Sequence, residues 1–399
     1  ELIPQTASLD LLPKLVGSDG PDTLVGTQTG DIVLAHDGDD IAFGRDGNDT
    51  IYGHGGNDRL LADNGDDIVF GGDGDDVLFG GDGDDVIFGG SGDDLLYGGE
   101  GNDTLFGDEG NDILLGQEGQ DHFFASVNDG DDQIYGGTGS DTYNLSDTQA
   151  DASVDLSAGI ASSAETGTDF LASIENVVGG DGNDTFIGNA ENNVLQGGAG
   201  DDSIDGGQGD DHFFTTLYDG NDSYDGGEGT DTLDMSVTQN GVVVDLVAGT
   251  ADGAEIGHDT LSGIENVVGG TGDDTFKANE FINTFTGGTG NDTFEFSDIF
   301  APGSTQAMRN TIKDFHVGDR IDLSGLDANW ELPDNQEFEL VVDKLEITKA
   351  GQIKFRFESF DNDERTVVEG KIDLDGDIDF EIELYGHHEL NKSDFIGVS

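Results

Sequence analysis

Aspartate recurs every nine residues along the first third of the chain. From Gly17 to Phe124 the sequence divides into twelve nine-residue units without a gap, and the sixth position of each unit is aspartate. These residues are Asp22, Asp31, Asp40, Asp49, Asp58, Asp67, Asp76, Asp85, Asp94, Asp103, Asp112 and Asp121. Carboxylates repeated in a turn suit a hard divalent cation, and calcium accepts about six to eight oxygen ligands. Zinc prefers His or Cys, whereas the repeated position is always aspartate, so the pattern predicts calcium.

The residues around each aspartate predict the element that positions it. Units such as GGDGDDVLF at 71–79 combine a Gly-Gly-x-Gly turn with an apolar residue at the eighth position. Glycine allows a turn with positive φ, and the three residues after the aspartate form a short strand with its middle side chain inward. Two nine-residue units then make one coil. Stacked coils give two parallel sheets around a thin aliphatic core, with the aspartates in columns.

The charge and composition of the chain exclude several classes of partner. The 399 residues carry a formal net charge of -73 and no cysteine. We expect no nucleic-acid partner, because phosphate binding needs a basic patch. No apolar run is long enough for a transmembrane helix, and no disulfide can form. Repulsion between the stacked aspartates opposes folding until cations neutralise it.

A longer repeat overlies the nine-residue units. Residues 121–186 align with 211–276 without gaps, and 37 of the 66 positions are identical. Glu175 and Glu265 occupy the aspartate position of disguised units, whereas Asn193 and Asn283 occupy it in degenerate ones. We predict the following segments: a lead at 1–16, repeat blocks at 17–144, 179–234 and 269–295, irregular insertions at 145–178 and 235–268, and a β-rich C-terminal domain at 296–399.

The nine-residue unit resembles the calcium-binding repeat of the RTX (repeats-in-toxin) family over about residues 17–295. The resemblance implies an all-β fold, a right-handed parallel β-roll. In that family, the carbonyls of positions two and four and the aspartate of one turn bind an ion. They do so together with the carbonyls of positions one and three and the aspartate of the turn one coil later. One ion would then use Gly72, Gly74 and Asp76 with Gly89, Ser91 and Asp94; the next would use Gly81, Gly83 and Asp85 with Gly98, Glu100 and Asp103.

The resemblance extends to a larger set of candidate metal ligands, and we expect multiple Ca²⁺ ions. The carboxylate candidates are Asp40, Asp49, Asp58, Asp67, Asp76, Asp85, Asp94, Asp103, Asp112, Asp121, Asp132, Asp141, Asp184, Asp202, Asp211, Asp222, Asp231, Asp274 and Asp292. The turn candidates in the best-formed units are Gly71, Gly72, Gly74, Gly80, Gly81, Gly83, Gly89, Gly90, Ser91, Gly92, Gly98, Gly99, Glu100 and Gly101.

The last hundred residues resemble the C-terminal domain of serralysin-type secreted proteases. The motifs are Asp314-Phe315, Gly318-Asp319, Ile321-Asp322-Leu323-Ser324, Asp375-Gly376-Asp377, Asp379-Phe380-Glu381-Ile382 and Ser393-Asp394-Phe395-Ile396. In that family this region carries the uncleaved signal for type I export. The resemblance therefore implies a type I exporter as a partner and a secreted, extracellular or cell-surface location.

Two non-catalytic functions are compatible with the sequence. We expect no catalysis, since there is no HExxH or G-x-S-x-G motif and no cysteine nucleophile. His122 and His212 are interpreted as surface residues. The chain is either the C-terminal folding and secretion module of a larger exported protein, which the start at Glu1 favours slightly, or a complete structural or adhesive RTX protein.

Aromatic residues at the ninth position predict ladders on the outer faces of the roll. Tyr52, Phe70, Phe88 and Phe106 should stack on one sheet, and Phe43, Phe79 and Tyr97 on the other. Two explanations remain open: the rings stiffen the roll by stacking, or they form a surface that another roll covers, either in this chain or in another molecule.

Overall fold

The computed structural model describes residues 12–297, 309–328, 336–341, 347–360, 363–372 and 378–399. The chain forms two compact units, residues 1–200 and 201–399. Part of the predicted lead (1–11) and the motif Asp375-Gly376-Asp377 lie outside the described residues. Within the described ranges, no helix has the length and apolar character needed to cross a membrane.

The first compact unit consists of short strands separated by tight turns. Its strands are β1 (Lys14–Val16), β2 (Thr23–Val25), β3 (Ile32–Asp37), β4 (Ile41–Asp46), β5 (Thr50–Gly55), β6 (Arg59–Asn64), β7 (Ile68–Asp73), β8 (Val77–Asp82), β9 (Val86–Ser91), β10 (Leu95–Glu100), β11 (Thr104–Glu109), β12 (Ile113–Glu118), β13 (His122–Phe124), β14 (Gln133–Thr138), β15 (Thr142–Asn144), β16 (Ala152–Asp155), β17 (Ile160–Ser163), β18 (Gly167–Ala172), β19 (Asn176–Val178), β20 (Thr185–Ile187) and β21 (Val194–Gln196).

Each strand of the repeat region pairs in parallel with the strand one coil later. Leu96 of β10 lies between Leu78 of β8 and Leu114 of β12, and Ile87 of β9 pairs with Leu105 of β11. Odd- and even-numbered strands up to β14 therefore form separate parallel sheets, as a coil of two nine-residue units requires. The predicted all-β parallel β-roll is confirmed.

The core of the roll is the column of eighth-position side chains. Val33, Ile51, Leu60, Val69, Leu78, Ile87, Leu96 and Leu105 are all fully buried. In most strands the flanking side chains are half-buried or exposed, so the alternation matches the pleat. The first repeat block fills this thin core mostly with aliphatic side chains, whereas later units place a fully buried ring at the same position, as at Phe123, Tyr143 and Phe213.

The first insertion is a three-stranded antiparallel excursion within one sheet. β16 pairs antiparallel with β17, and β17 pairs antiparallel with β18. β18 then pairs in parallel with β14, and β16 with β20. The insertion therefore returns the chain to the stack and preserves the coil.

The second compact unit begins with the same architecture. Its strands are β22 (Ser203–Asp205), β23 (His212–Phe214), β24 (Ser223–Asp225), β25 (Thr232–Asp234), β26 (Val243–Asp245), β27 (Thr250–Gly253), β28 (Gly257–Ser262), β29 (Asn266–Val268), β30 (Thr275–Ala278), β31 (Thr284–Thr286), β32 (Thr293–Phe296), β33 (Asn310–Ile312), β34 (Arg320–Asp322), β35 (Glu339–Leu340), β36 (Gln352–Phe360), β37 (Asp363–Lys371), β38 (Phe380–Tyr385) and β39 (Phe395–Ile396), with a 3-10 turn at Lys392–Asp394.

Parallel pairing in the second compact unit continues past the last predicted repeat. Thr311 of β33 lies opposite Thr284 of β31, and Arg320 of β34 lies opposite Thr293 of β32. β38 then pairs in parallel with β33 and antiparallel with β37, which is itself antiparallel to β36. The C-terminal hairpins are thus built directly onto one of the two sheets of the roll.

Glutamates of these hairpins are neutralised by arginine. Buried Arg309 donates to Glu381 at 2.7 Å and to Glu358 at 2.8 Å, and Arg365 donates to Glu383 at 3.2 Å. Ten of the 14 basic residues lie from Arg309 onward, so charge is balanced here by side chains and not by the turn geometry of the repeats.

Candidate calcium centre

Aspartates of successive coils are joined into two ladders by hydrogen bonds. The amide N–H of each sixth-position aspartate donates to Oδ1 of the aspartate one coil later. Asp58 donates to Asp76 and Asp76 to Asp94, each at 2.7 Å, while Asp67 donates to Asp85 at 2.8 Å. The first ladder runs through Asp22, Asp40, Asp58, Asp76, Asp94, Asp112 and Asp132, and the second through Asp31, Asp49, Asp67, Asp85, Asp103, Asp121 and Asp141.

The second oxygen of most ladder aspartates is buried without a protein donor. These Oδ2 atoms have no hydrogen-bond partner among the described residues in Asp40, Asp49, Asp58, Asp67, Asp76, Asp85, Asp94, Asp103, Asp112, Asp121, Asp141, Asp231, Asp259 and Asp292. Burying a carboxylate oxygen without a hydrogen-bond partner costs free energy. Because these oxygens recur at the same position of successive coils, a single explanation should account for all of them.

Backbone carbonyls converge on the same space as these oxygens. A β-carbon at Gly71 would collide with Oδ2 of Asp76 and with the carbonyl oxygen of Gly89 in the next coil. Gly80 stands in the same relation to Asp85 and Gly98. The first glycine of each turn therefore leaves open a cradle in which a carboxylate and a carbonyl oxygen face each other.

Burial raises the pKa of the ladder carboxyls. The pKa of Asp67 rises from its ordinary 3.8 to about 7, and that of Asp76 to about 8. Burial is the largest cause, and the charges of Asp94 and Asp58 in the neighbouring coils raise the pKa of Asp76 further. The hydrogen bond from the preceding coil opposes this rise but is outweighed. Full ionisation of the ladders at neutral pH is unfavourable unless cations compensate it.

All nineteen predicted carboxylate ligands are buried, with at most 5% exposure. Of the first predicted set, Asp76 and Gly89 face one cradle, and Asp94 lies one step along the ladder. The carbonyl of Ser91 accepts the amide of Gly74 at 2.7 Å, and that of Glu100 accepts the amide of Gly83 at 2.7 Å. These two carbonyls already have one donor each, so their assignment as ligands stays a prediction.

The repeats with other residues at the sixth position also lie in the ladders. Oε2 of Glu175 accepts the amide of Asp141 at 2.9 Å, and Oε2 of Glu265 accepts that of Asp231 at 3.0 Å. The side-chain amide of Asn193 donates to the carbonyl of Glu175 at 2.7 Å. Asn283 donates in the same way to the carbonyl of Glu265. The asparagine amide links neighbouring coils by a hydrogen bond but carries no negative charge. The asparagine positions of the ladder therefore differ chemically from the aspartate positions.

Three ladder carboxylates were missed by the sequence period. Asp169 accepts the amide of Asp132 at 3.0 Å, Asp259 that of Asp222 at 2.9 Å, and Asp319 that of Asp292 at 3.0 Å. All three are buried. Each precedes an x-apolar pair, as in Asp169-Phe170-Leu171, which is the end of the repeat without its glycine turn. The tripeptide Asp-x-apolar was therefore the sequence feature from which these three ladder positions could have been predicted.

Two further buried aspartates lie in loops of the duplicated segment. Oδ2 of Asp129 accepts the amide of Ser126 at 2.6 Å, and Oδ2 of Asp219 that of Thr216 at 2.8 Å. Their Oδ1 atoms have no donor within the described part of the chain. Burial raises the pKa of both carboxyls to about 7. Their equivalence across the duplication shows that these loops carry the same kind of oxygen donor as the ladders.

These donors fit calcium. They are carboxylate and carbonyl oxygens, they are dehydrated, and they recur at a constant register in both compact units. Fold and site together define a parallel β-roll whose turns carry oxygen donors suited to calcium.

Comparison with known proteins places this roll in a family. The model of the RTX calcium-binding nonapeptide repeat (4 copies) matches residues 16–51, 34–69, 61–96, 88–123, 124–146 and 178–213. The model of the peptidase M10 serralysin C terminal matches residues 220–397. Residues 16–146 and 178–213 thus carry RTX calcium-binding repeats, and residues 220–397 are of the serralysin C-terminal type. Its repeats are a calcium-binding module of a secreted protein.

The chain was also compared with curated proteins and with solved structures. No curated protein matches the sequence. The crystal structure of the extracellular lipase LipA from Serratia marcescens matches with 16% identity and a TM-score of 0.16. The match covers 78% of this chain and 39% of the lipase, so the chain spans well under half the length of that protein.

Proposed function

We propose that this chain is a non-catalytic module that folds when it binds calcium after type I secretion, and that it forms the C-terminal part of a larger exported protein. The observation that carries the proposal is the pair of aspartate ladders, whose second oxygens are buried without protein donors among the described residues. The serralysin-type region at 220–397 supports export by the type I route and a place at the end of a longer protein.

The residues of the ladder divide the work of such a switch. Bound calcium supplies the positive charge that buried carboxylates lack. Oδ1 of Asp76 holds the coil register by accepting the amide of Asp58, and Oδ2 remains available to a cation together with the Gly89 carbonyl. Where calcium is scarce, repulsion between neighbouring coils and the cost of dehydrating carboxylates oppose closure of the roll. Where calcium is abundant, its binding free energy becomes folding free energy.

The carboxylates engaged in this way are not free for acid–base catalysis, which supports a structural function for the module. The alternative is a complete secreted or cell-surface protein that self-associates through its outer aromatic ladders. The rings of Phe70, Phe88 and Phe106 stack on one another within the chain, with centroids 4.9 and 4.5 Å apart. Stacking already accounts for these rings, so no observation favours self-association.

The proposal is tested by following strand formation with circular dichroism as calcium is added to chelated protein. We expect the strand signal to appear cooperatively with calcium. Asp76→Asn keeps an oxygen acceptor for the Asp58 amide but removes the charge. It should raise the calcium midpoint, and it should lower the stability of the calcium-loaded roll by about 1–3 kcal/mol.

The matched control is Asp75→Asn, which removes the same charge from an exposed neighbour. Its calcium midpoint should stay close to that of the unsubstituted chain. A complete strand signal in chelator, or equal midpoints for the two variants, would contradict the proposal.

A further inference from the structure

Three side chains with metal-ligand atoms converge just beyond the last recognised repeat. One ligand atom each from Asp292, His316 and Asp319 lies within 4.8 Å of the others. In the described part of the chain, this is the group of His, Asp or Glu side chains in which at least three ligand atoms lie close enough to hold one ion. Asp292 comes from the last recognised nine-residue unit, and the other two belong to the following turn, closed by the amide of Asp319 donating to the His316 carbonyl at 3.2 Å.

Unpaired ligand atoms point into this cluster. Asp292 is fully buried, and its Oδ2 has no hydrogen-bond partner among the described residues. Its backbone amide, by contrast, donates to Oδ1 of Asp319 at 3.0 Å, which continues the ladder. The carboxylate of Asp292 is thus held in place by its neighbours while one of its oxygens is left without a donor.

The histidine is oriented as a metal ligand. Its Nε2 lies 3.1 Å from the carbonyl oxygen of Gly288, which can only accept, so Nε2 carries the proton. In the neutral ring Nδ1 then presents a lone pair. This atom is buried and lies 3.0 Å from Oδ1 of Asp319, but outside hydrogen-bond geometry. In the protonated ring this contact is an ion pair, whereas in the neutral ring the two lone pairs repel each other unless a metal ion lies between them.

A hydrogen bond from the second ring nitrogen to a carbonyl is the arrangement that commonly fixes the tautomer of metal-bound histidine. The donor set of one imidazole and two carboxylates also differs from the all-oxygen ladders. Imidazole nitrogen is a good ligand for zinc and its neighbours in the first transition series, whereas calcium prefers oxygen. The side chain of His316 is 38% exposed, so an ion can reach the site from solvent.

We propose that Asp292, His316 and Asp319 form a site for a divalent transition metal of the zinc class, chemically distinct from the calcium ladders. The site adds a nitrogen ligand at the C-terminal end of the ladder. Oxygen ligands would then select calcium along the ladder, and the histidine nitrogen would select a zinc-class ion at this site. The site needs the stacked coils, because Asp292 and Asp319 meet across a ladder step, but its preference for zinc over calcium arises from His316.

The test is titration of Zn²⁺, and separately of Co²⁺, into the full chain kept in excess calcium. Calorimetry should detect one tight equivalent of Zn²⁺, and Co²⁺ should give a visible absorption band of nitrogen coordination. His316→Gln should weaken this binding by at least about tenfold. His388→Gln is the control, since its Nε2 also contacts a carbonyl, that of Tyr385, but it is not part of the cluster.

Equal Zn²⁺ affinity in His316→Gln and the unsubstituted chain would overturn the proposal, as would loss of all tight Zn²⁺ binding in excess calcium. If His316→Gln fails to fold in calcium, the test is made on the unsubstituted chain instead, by NMR of its histidine ring nitrogens. One imidazole signal should shift on addition of Zn²⁺ and remain in place on addition of calcium. A spectrum in which no imidazole signal responds selectively to Zn²⁺ would likewise overturn it.

Discussion

The two oxygens of a ladder aspartate have different functions. Oδ1 accepts the amide of the preceding coil and so fixes the register, while Oδ2 is dehydrated and has no donor in the described structure. Asn193 and Asn283 hold the register in another way: the side-chain amide of each donates to a carbonyl of the preceding coil, that of Glu175 or Glu265, while its Oδ1 accepts an amide of its own turn. These steps carry no charge and therefore add no repulsion.

The raised pKa values predict that acid partly replaces calcium. Burial raises the pKa of Asp76 and Asp112 to about 8 and that of Asp103 to about 7, against 3.8 in an unfolded chain. Between these limits the folded state binds more protons. Its stability without calcium is therefore greatest below about pH 4 and is lost as the pH rises through 7–8.

We expect decalcified protein to gain strand signal in circular dichroism when the pH falls from 8 to 5.5. The ladder carboxyls with a pKa of about 7–8 take up protons over this range. The calcium midpoint should rise as the pH falls over the same interval, because protons compete for Oδ2. A decalcified chain with equal or greater strand content at pH 8 would contradict this interpretation.

The turn is the element that brings carbonyls and carboxylates together, and its glycines act in two ways. Gly80 has no positive φ, yet a β-carbon there would enter the space facing Asp85 and Gly98. Gly81 has φ +131°, and its β-carbon would collide with the carbonyl of Asp63 in the preceding coil. In these two units the stacked turns leave little room for a β-carbon, whereas the first position of other units holds Ala35 or Ala62 and the second position holds residues such as His54 and Asp63, also with positive φ.

Substitution at Gly81 tests this packing. Gly81→Ala should destabilise the calcium-loaded roll by about 1–3 kcal/mol, because it adds both strain and a collision. Gly55 occupies the third position of a turn without positive φ, and the nearest atom to its β-carbon would be Oδ1 of Asp37 at 3.6 Å. Gly55→Ala should leave stability unchanged or raise it by up to about 1 kcal/mol. Urea unfolding in excess calcium measures both, and equal losses would argue against the role of close turn packing.

At the scale of the whole molecule, charge is balanced by two different devices. The repeats concentrate acidic groups in turns that need cations, whereas the C-terminal hairpins pair glutamates with arginines such as Arg309 and Arg356. The hairpins should therefore depend less on calcium than the repeats do. Outward aromatic ladders add cohesion along the coils that requires no ions: Tyr52 stacks on Phe70 at 4.8 Å, and Phe79 on Tyr97 at 4.7 Å.

Replacement of Phe70, Phe88 and Phe106 by serine tests what these ladders do. Each stacked pair contributes about 0.5–1.5 kcal/mol, so the thermal midpoint in calcium should fall, with an unchanged sedimentation coefficient. Phe281→Ser is the control, because this exposed ring is not part of a ladder. A lower sedimentation coefficient in the triple variant would instead support self-association through this surface.

The sequence by itself determined the coil, its register, the inward column of apolar side chains and the recognised aspartate positions, although it predicted an aliphatic core where later units bury rings such as Phe213. It could determine these features because two nine-residue units make one coil of the roll. A position in the repeat therefore fixes the position of a residue in the stacked coils. Val69 or Asp76 can be assigned to the core or the turn column without knowing any distant contact.

Only the tertiary structure decided how the columns continue where the period is broken. Asp169, Asp259 and Asp319 join the ladders across 37, 37 and 27 residues, and their partners are chosen by which strand stacks next, not by spacing along the chain. The same long-range stacking places His316 beside Asp292. Insertions change sequence distance without changing the height of a coil, and this is why the aspartate ladders were predictable while their continuation and the histidine site were not.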